Sequence, residues 1–307
     1  MVHASSVTAP TKPRTRALER AERRSAALAR VAHTERTLDR SAALARDPVR
    51  FARAYESRDD RETAALLCAL MAFGNVEVIG KKLTELFRRL GGAPGVAART
   101  WSAAKLDEAL RGFVHRTFAG ASIARLVYAA GRVLEAHPRG PGATDDEAGG
   151  LYAPLVRSYE ATGSLREALT AWVTLLRGHA WPGGVTRAER HLLPDPQGSS
   201  ACKRLLLLCR WISRADDGVD LGLVALPTRA LLVPLDVHVH RVARALGFTE
   251  RNAASWQAAE EVTEALRALD ADRMEGVFSE TTEFSVIAPR VTAGAPGRRA
   301  SVELPAG

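Results

Sequence analysis

The stretch DRETAALLCALMAF, residues 60–73, decides the fold class of this chain. Its apolar residues recur at the three- and four-residue spacing that places side chains on one face of an α-helix. The dipeptide at 74–75, Gly-Asn, then interrupts the pattern, because both residue types favour turns. The sequence therefore predicts a buried helix that ends near residue 73. Its buried stripe is predicted to consist of Ala64, Leu67, Cys68 and Met71.

The helical spacing returns directly after this break, in VEVIGKKLTELFRRLGG, residues 76–92, where the closing glycine pair is a typical helix stop. Further helices are predicted at about 103–111, 121–136, 147–161 and 164–178, separated by short breaks rich in glycine or proline. Because period-two alternation is almost absent, the pattern indicates an all-α, multi-helix domain. The apolar face of the helix within 76–92 is predicted to be Val78, Leu83, Leu86, Phe87 and Leu90.

The second half of the chain contains a long break. Residues 179–200, HAWPGGVTRAERHLLPDPQGSS, hold three prolines and are predicted to form a loop, and long loops in compact domains are often functional. Residues 201–214 are predicted to be a helix with Ser199 or Ser200 as its N-cap. The apolar stretch from 225 to 233 is predicted to be helical, with an interruption at Pro227, and Pro234 ends it.

Charge and length narrow the class of partner. The chain has 307 residues, 46% of them hydrophobic, so it can bury a substantial core. Its 43 Lys and Arg outnumber its 35 Asp and Glu, which gives a formal net charge of +8 at pH 7. This excess favours polyanionic partners, nucleic acid before a membrane. A basic balance alone does not identify the partner, since many arginine-rich chains only have solvated charged faces.

The cysteines and the apolar runs indicate a cellular compartment. Cys68, Cys202 and Cys209 form no CxxC pair and lie in apolar helical stretches, which predicts reduced thiols rather than a disulfide framework. No apolar run approaches the roughly 18 residues that span a bilayer, and the N-terminus lacks the apolar core of a signal peptide. The chain is therefore expected to be cytoplasmic, without membrane association.

Composition divides the chain into three parts. Residues 1–46 are rich in Ala, Arg, Ser and Thr and are expected to be disordered or an exposed helix. This basic extension either lies along phosphates or is solvated without a function of its own. Residues 47–270 carry the helical pattern and form the domain. Residues 271–307 are expected to be an unstructured tail in a place where one more apolar helix would fit, so the end is read as diverged, truncated or frameshifted.

The segment PLDVHVHRVARALGF, residues 234–248, contains Asp236, His238 and His240 at period-two spacing. On a strand these residues would share one face and suit a metal such as zinc. On an α-helix, residues two apart point about 200° apart, so the histidines could not share an ion. Helical spacing of the apolar residues favours the helix and predicts no metal site, with Asp236 at or next to the N-cap. Those apolar residues are Val239, Val242, Ala243 and Leu246.

Two segments resemble the DNA-binding motif of DNA glycosylases of the endonuclease III type. Leu193-Pro194, Gly198 and Lys203 resemble a worn form of the helix-hairpin-helix turn LPGVGRKTA, and PLDVHVHRV resembles the VDTHIFRV segment that follows this turn. In that superfamily the hairpin N–H groups bind a DNA phosphate, the lysine is the Schiff-base nucleophile and the aspartate is the catalytic carboxylate. The resemblance implies these two roles for Lys203 and Asp236.

A closer resemblance covers roughly residues 47–270. The segments DRETAALLCALMAFGN, HLLPDPQGSSACKR, RWISRADDGVDLGL and PLDVHVHRVARALGF resemble an uncharacterised bacterial domain-of-unknown-function family, which is distantly similar to the glycosylases. The chain departs from the glycosylase pattern: only Gly198 matches the two hairpin glycines, the connection from Lys203 to Asp236 is longer, and Val237 replaces a threonine. No cysteine-rich tail follows, so no iron–sulfur cluster is implied and no cofactor is expected.

The resemblance implies a helix-hairpin-helix fold and a DNA glycosylase or abasic-site lyase acting on duplex DNA in base-excision-like repair. The Asp236 carboxylate would stabilise charge on the sugar, and the Lys203 amine would attack C1′. The alternative is a non-catalytic, all-α nucleic-acid-binding or scaffold protein that retains the fold, with Asp236 only a cap and Lys203 only an exposed helix start. The expected DNA contacts are Ser199, Ser200, Arg204, His238 and Arg241.

Overall fold

The computed structural model describes residues 44–140 and 149–271, together with Leu18, Glu22, Ser25 and Ala26. Within these residues the regular elements are helices, apart from one two-stranded hairpin, which confirms the all-α, multi-helix class. The predictions for 1–46 and 271–307 lie almost wholly outside the described residues. In chain order the elements are α1 (Val49–Arg53), α2 (Arg58–Met71), α3 (Val76–Arg89), α4 (Pro94–Thr100), α5 (Ala103–Ala109), β1 (Val114–His115), β2 (Phe118–Ala119), α6 (Gly120–Ala136), α7 (Ala153–Thr162), α8 (Leu165–Ala180), α9 (Arg187–Leu192), α10 (Lys203–Ser213), α11 (Val237–Ala245) and α12 (Trp256–Ala271).

Helix α2 lies at the centre of the core. It packs against α1, α3, α4, α6 and α10, and its predicted stripe is buried together with the residues between the stripe positions. Neighbours on several sides of α2 therefore bury more of this helix than an amphipathic pattern predicts. In α3 the predicted apolar face is buried except for Val78, which is 49% exposed. That part of the prediction is wrong, because the inward face of α3 begins at Ile79.

Two glycines allow α2, α4 and α6 to pack closely. A Cβ atom on Gly95 of α4 would lie 2.4 Å from the Asp59 carbonyl carbon, and one on Gly131 of α6 would lie 1.8 Å from the Ala98 oxygen. Neither position can hold a larger side chain without moving a backbone. The carboxylate of Asp60 adds a link between α2 and α4, since its Oδ1 accepts the Gly95 N–H at 2.7 Å where the α4 dipole favours an anion.

Helix α8 packs against α6 and α7. Helix α7 begins at Ala153 and residues 149–152 are not helical, so the predicted start is too early, while residues 147 and 148 lie outside the described part of the chain. The predicted loop at 179–200 is also corrected, because it contains α9, which starts with a capping box formed by Thr186 and Glu189. At six residues α9 is too short to show a helical periodicity in the sequence.

Residues 225–233 are extended rather than helical, apart from a 3₁₀ turn at Thr228–Ala230. The prediction of a helix here is wrong because Pro227 lies within the apolar run and Pro234 follows it, and each proline ring restricts the backbone around it. The last helix fixes this segment. The N–H of Val233 donates to Thr263 Oγ1 of α12 at 3.0 Å.

A buried ionic cluster anchors the loop that follows α10. The carboxylate of Asp220 is buried, with Oδ1 2.9 Å from Arg210 Nη2 and Oδ2 3.2 Å from Arg214 Nη1. Arg53 of α1 donates to the Asp220 carbonyl oxygen at 2.6 Å. A single carboxylate in this position would be costly, and the two guanidinium groups offset its desolvation. The cluster therefore joins α1, α10 and the following loop.

The structure also describes the cysteines and the apolar helices. Cys68, Cys202 and Cys209 all lie in the described part of the chain, and all three are buried and free. Among the helices described, none is both long and apolar enough to cross a bilayer.

Candidate functional site

Asp236 is the N-cap of α11, as the sequence predicts. Its Oδ1 accepts the backbone N–H groups of His238 and Val239, both at 2.9 Å. The helix separates the two histidines: His238 is exposed, whereas His240 is buried with its Nε2 3.0 Å from the Arg251 carbonyl oxygen. This helical geometry excludes the shared metal ion that a strand would allow.

Lys203 is the first residue of α10. Cys202 precedes it in the left-handed conformation, with φ 49° and ψ 37°, which is strained for a residue that has a Cβ atom. The Oγ of Ser200 accepts the Cys202 N–H at 3.1 Å. The expectation that Ser199 or Ser200 is the N-cap is therefore wrong, because the chain turns into the helix only at Cys202.

The starts of α10 and α11 bring Lys203 and Asp236 together. The Lys203 Nζ lies 3.5 Å from Asp236 Oδ2, and the side chains are 33% and 29% exposed. A cation at a helix N-terminus is disfavoured by the helix dipole, and the facing carboxylate offsets this cost. Ion pairs of this exposure typically contribute less than about 1 kcal/mol to stability. The fold therefore does not depend on the pair.

A second carboxylate, Asp47, lies within electrostatic range of Lys203 and of Arg210 on the same helix. Burial raises the pKa of Asp47, whereas the Val49 N–H at 2.9 Å and the two cations lower it. Sequence reasoning used residue 47 only as a domain boundary. An aspartate before a proline at a helix start signals a cap, but nothing local places it near Lys203.

Two arginines of α8 hold the loop between α9 and α10. Arg166 Nε donates to the Pro196 carbonyl at 2.9 Å. Arg177 donates through Nε and Nη2 to the Leu193 carbonyl, at 3.2 and 2.6 Å, and its Nη1 lies 3.7 Å from Asp195 Oδ2. These contacts fix the loop to the helical scaffold and so position the start of α10.

The sequence predicts a DNA contact at Arg204, but the structure buries this side chain to 7% exposure. Its guanidinium donates to the carbonyl groups of Leu70 and His191. Burial lowers the pKa of Arg204 to about 10. Arg204 therefore joins the C-terminal ends of α2 and α9 to α10 and is not available to a phosphate.

The other predicted DNA contacts lie on the surface. Ser199 and Ser200 are exposed in the loop before α10. His238 and Arg241 are exposed and three residues apart on α11, so they share one face of that helix. Val237, next to the cap, is 70% exposed. Exposed polar groups thus accompany the Lys203–Asp236 pair on both of the segments that carry it.

The arrangement places an amine and a carboxylate at one solvent-accessible point. A carboxylate can stabilise a developing positive charge or accept a proton, and a deprotonated amine can attack a carbonyl carbon. The unsatisfied N–H groups at the start of a helix favour an anion nearby. Among the described residues, no group of three or more His, Cys, Asp or Glu could hold a metal ion.

Comparisons with known proteins place the chain in a family. No curated protein and no solved structure matches it. A family model described as a protein of unknown function, DUF2400, matches residues 47–273, which is most of the chain and includes both Lys203 and Asp236. The chain belongs to the DUF2400 family.

Proposed function

We propose that this protein binds DNA and acts as a DNA glycosylase or abasic-site lyase, with Lys203 as the Schiff-base nucleophile and Asp236 as the catalytic carboxylate. The observation that carries the proposal is the 3.5 Å separation of the Lys203 Nζ and Asp236 Oδ2 at a partly exposed junction of two helix starts. Such chemistry needs an amine and a carboxylate in one accessible place.

The resemblance to the helix-hairpin-helix glycosylases supports the same assignment. Helix α9, the loop at 193–202 and α10 follow one another as helix, loop and helix, and Lys203 starts the second helix. Asp236 caps the helix that comes next. Lys203 and Asp236 follow one another along the chain in the same order as the lysine and the aspartate of the glycosylases. The loop before Lys203 is longer than the turn of the helix-hairpin-helix motif.

The proposed lyase reaction begins on the ring-opened sugar of an abasic site, which carries an aldehyde at C1′. Asp236 accepts a proton from the Lys203 ammonium, and the freed nitrogen lone pair attacks C1′. The carbonyl oxygen takes one proton from the nitrogen and one from the protonated Asp236, and it leaves as water while an iminium ion forms between Lys203 and C1′. Water then accepts a proton from C2′, the C3′–O bond breaks with release of the phosphate, and hydrolysis of the imine restores the amine.

A second candidate function is non-catalytic binding of nucleic acid by a domain that retains the fold. The ion pair itself favours this alternative, because an ammonium ion held by a carboxylate has no lone pair for attack. Both functions rely on the excess of positive charge in the chain, so both require an affinity for DNA that falls steeply with salt concentration.

Borohydride trapping separates the two functions. Borohydride transfers hydride to the imine carbon and converts the intermediate into a stable covalent adduct. On an abasic-site duplex, we expect an adduct with the wild-type protein, none with Lys203→Ala, and a strongly reduced yield with Asp236→Asn. Base release from duplexes that each carry one damaged base, measured in parallel, tests the glycosylase step.

Lys82→Ala is the matched control for this experiment. Lys82 is also 33% exposed and also faces a carboxylate, with its Nζ 2.9 Å from Glu85 Oε2, but it lies on α3. This variant loses the same charge and should form the adduct as well as the wild type does. If the wild type forms no adduct and releases no base but binds DNA in a salt-dependent way, the non-catalytic function replaces the enzymatic one.

A further inference from the structure

Three side chains from separate elements meet at the connection between α2 and α3. Phe73 follows α2, Arg116 lies in the turn between β1 and β2, and His191 lies near the end of α9. The Arg116 Cζ lies 4.4 Å from the centroid of the Phe73 ring, and the His191 ring meets that ring edge to face at 4.8 Å. These three residues are named the Phe73 cluster.

Two buried side chains, Phe118 and Arg204, lie next to the Phe73 cluster. The buried ring of Phe118 lies 5.4 Å from the His191 ring. The buried guanidinium of Arg204 lies 5.9 Å from the Phe73 centroid and donates to the His191 carbonyl. Since Arg204 directly follows Lys203, the cluster borders the start of α10.

The local backbone conformation places the Arg116 guanidinium over the Phe73 ring. Arg116 has φ +55°, and among the described residues other than glycine it shares a positive φ only with Cys202, which precedes Lys203. A Cβ atom on Gly74, whose φ is +116°, would lie 2.9 Å from Arg116 Nη1, so glycine leaves room for the guanidinium. Strained conformations of this kind persist where the surrounding structure requires them.

The chemistry of the Phe73 cluster suits a flat ring next to a phosphate. Arg116 and His191 are exposed, and Arg116 forms no ion pair with a carboxylate of the described residues. Partial desolvation of the ring and the nearby charges of Arg204 and Arg116 lower the pKa of His191, which favours the uncharged form of its ring. A guanidinium on an aromatic ring offers its outer face for stacking and its N–H groups to phosphate oxygens.

We propose that the Phe73 cluster is a docking site for an unpaired nucleobase of DNA, which stacks on the outer face of the Arg116 guanidinium beside the His191 ring. A paired base is already stacked on both faces, so it can offer only its phosphate to this site. The proposal therefore predicts a preference for DNA that contains an unpaired base. It rests on the proposed function only in taking DNA as the partner.

The test uses the fluorescence of 2-aminopurine, which falls when this base stacks. The full chain is titrated with a duplex that carries 2-aminopurine opposite an abasic site, and with a duplex in which 2-aminopurine is paired. We expect quenching and tighter binding on the first duplex. Because the base loses its stacking partner, Arg116→Gln and Phe73→Leu should each weaken binding to the first duplex on the order of tenfold.

Arg111→Gln is the matched control. Arg111 is exposed, lies just before the same hairpin and pairs with Glu108, so its loss removes one positive charge and leaves the Phe73 cluster intact. Equal weakening by Arg111→Gln and Arg116→Gln, or equal binding of the two duplexes by the wild type, would overturn the proposal. Thermal melting of each variant identifies any loss of binding that comes from unfolding.

The outcome is independent of the proposed catalysis. Lys203→Ala should still quench 2-aminopurine while it forms no borohydride adduct. A wild-type protein that shows the quenching and its Arg116 dependence but no adduct supports the docking site and removes the lyase function. An adduct without quenching supports the lyase function and removes the docking site.

Discussion

Lys203 and Arg204 are neighbours in the sequence whose side chains lie in opposite environments. The Lys203 ammonium is at the surface, 3.5 Å from the Asp236 carboxylate, whereas the Arg204 guanidinium is buried between the carbonyl groups of Leu70 and His191. The first residue of α10 is therefore available for chemistry, and the second holds the helix in place. The two substitutions to alanine should separate these roles.

Arg204→Ala should destabilise the protein by about 2–4 kcal/mol, because two buried carbonyl groups lose their donor and a cavity forms. Lys203→Ala should change the free energy of unfolding by less than about 1 kcal/mol, since its ion pair is partly exposed. Urea unfolding monitored by circular dichroism measures both values. Equal values for the two variants would contradict the structural role of Arg204.

Two substitutions at Asp236 should separate its charge from its cap. Asparagine is as good an N-cap as aspartate, so Asp236→Asn should keep the stability within about 0.5 kcal/mol of the wild type. Asp236→Ala should cost about 1 kcal/mol, because the His238 and Val239 N–H groups lose their acceptor. Both variants should give a reduced borohydride adduct. Full adduct yield with Asp236→Asn would remove the carboxylate from the mechanism.

Substitution of two helical glycines by alanine should change the stability of the protein in opposite directions. Gly131→Ala should destabilise the protein by at least about 2 kcal/mol, because the new methyl group would overlap the Ala98 oxygen and force α4 and α6 apart. Gly178 of α8 has no atom within 4 Å of its Cβ position. Gly178→Ala should therefore stabilise the protein by about 0.5–1 kcal/mol through helix propensity. Thermal melting of both variants, compared with the wild type, tests the two predicted changes in stability.

None of the three thiols should react in the native protein. Cys68, Cys202 and Cys209 are buried, and burial raises the pKa of Cys202 to about 11 and that of Cys209 to about 12. Because the thiolate is the reactive form, a thiol reagent such as Ellman's reagent should label no cysteine at pH 8. In guanidinium chloride, which unfolds the protein, the reagent should label all three cysteines. Rapid native labelling of Cys202 would show that the start of α10 opens.

Stability should fall between pH 7 and pH 5, partly through His115. Burial lowers the pKa of His115, whose Nε2 lies 3.0 Å from the Met71 carbonyl oxygen. The unfolded chain then binds more protons than the native protein, so this contribution is complete above the unfolded pKa near 6.5 and is lost as pH falls through the lowered pKa. Urea unfolding at several pH values should give a smaller slope for His115→Gln. An unchanged slope would assign the effect to other groups.

Helix α2 and the cap at Asp236 show what local sequence can predict. A helix with a regular apolar stripe, or an aspartate that starts one, is specified by residues within three or four positions of one another. The segment at 225–233 and helix α9 show where this reasoning fails. The first has the composition of a buried helix but contains Pro227 and is followed by Pro234. The second has six residues, which is shorter than the window over which a helical period can be detected.

The sequence by itself determined the all-α class, the helical state of residues 237–245 and, through it, the separation of His238 from His240. These properties follow from backbone geometry over a few residues. Only the tertiary structure decided that Lys203 faces Asp236, that Asp47 lies in electrostatic range of that lysine and that Arg204 is buried. Those relationships depend on how α2, α9 and α11 meet the start of α10. Residues that are distant in the chain leave no local sequence pattern that reports their contact.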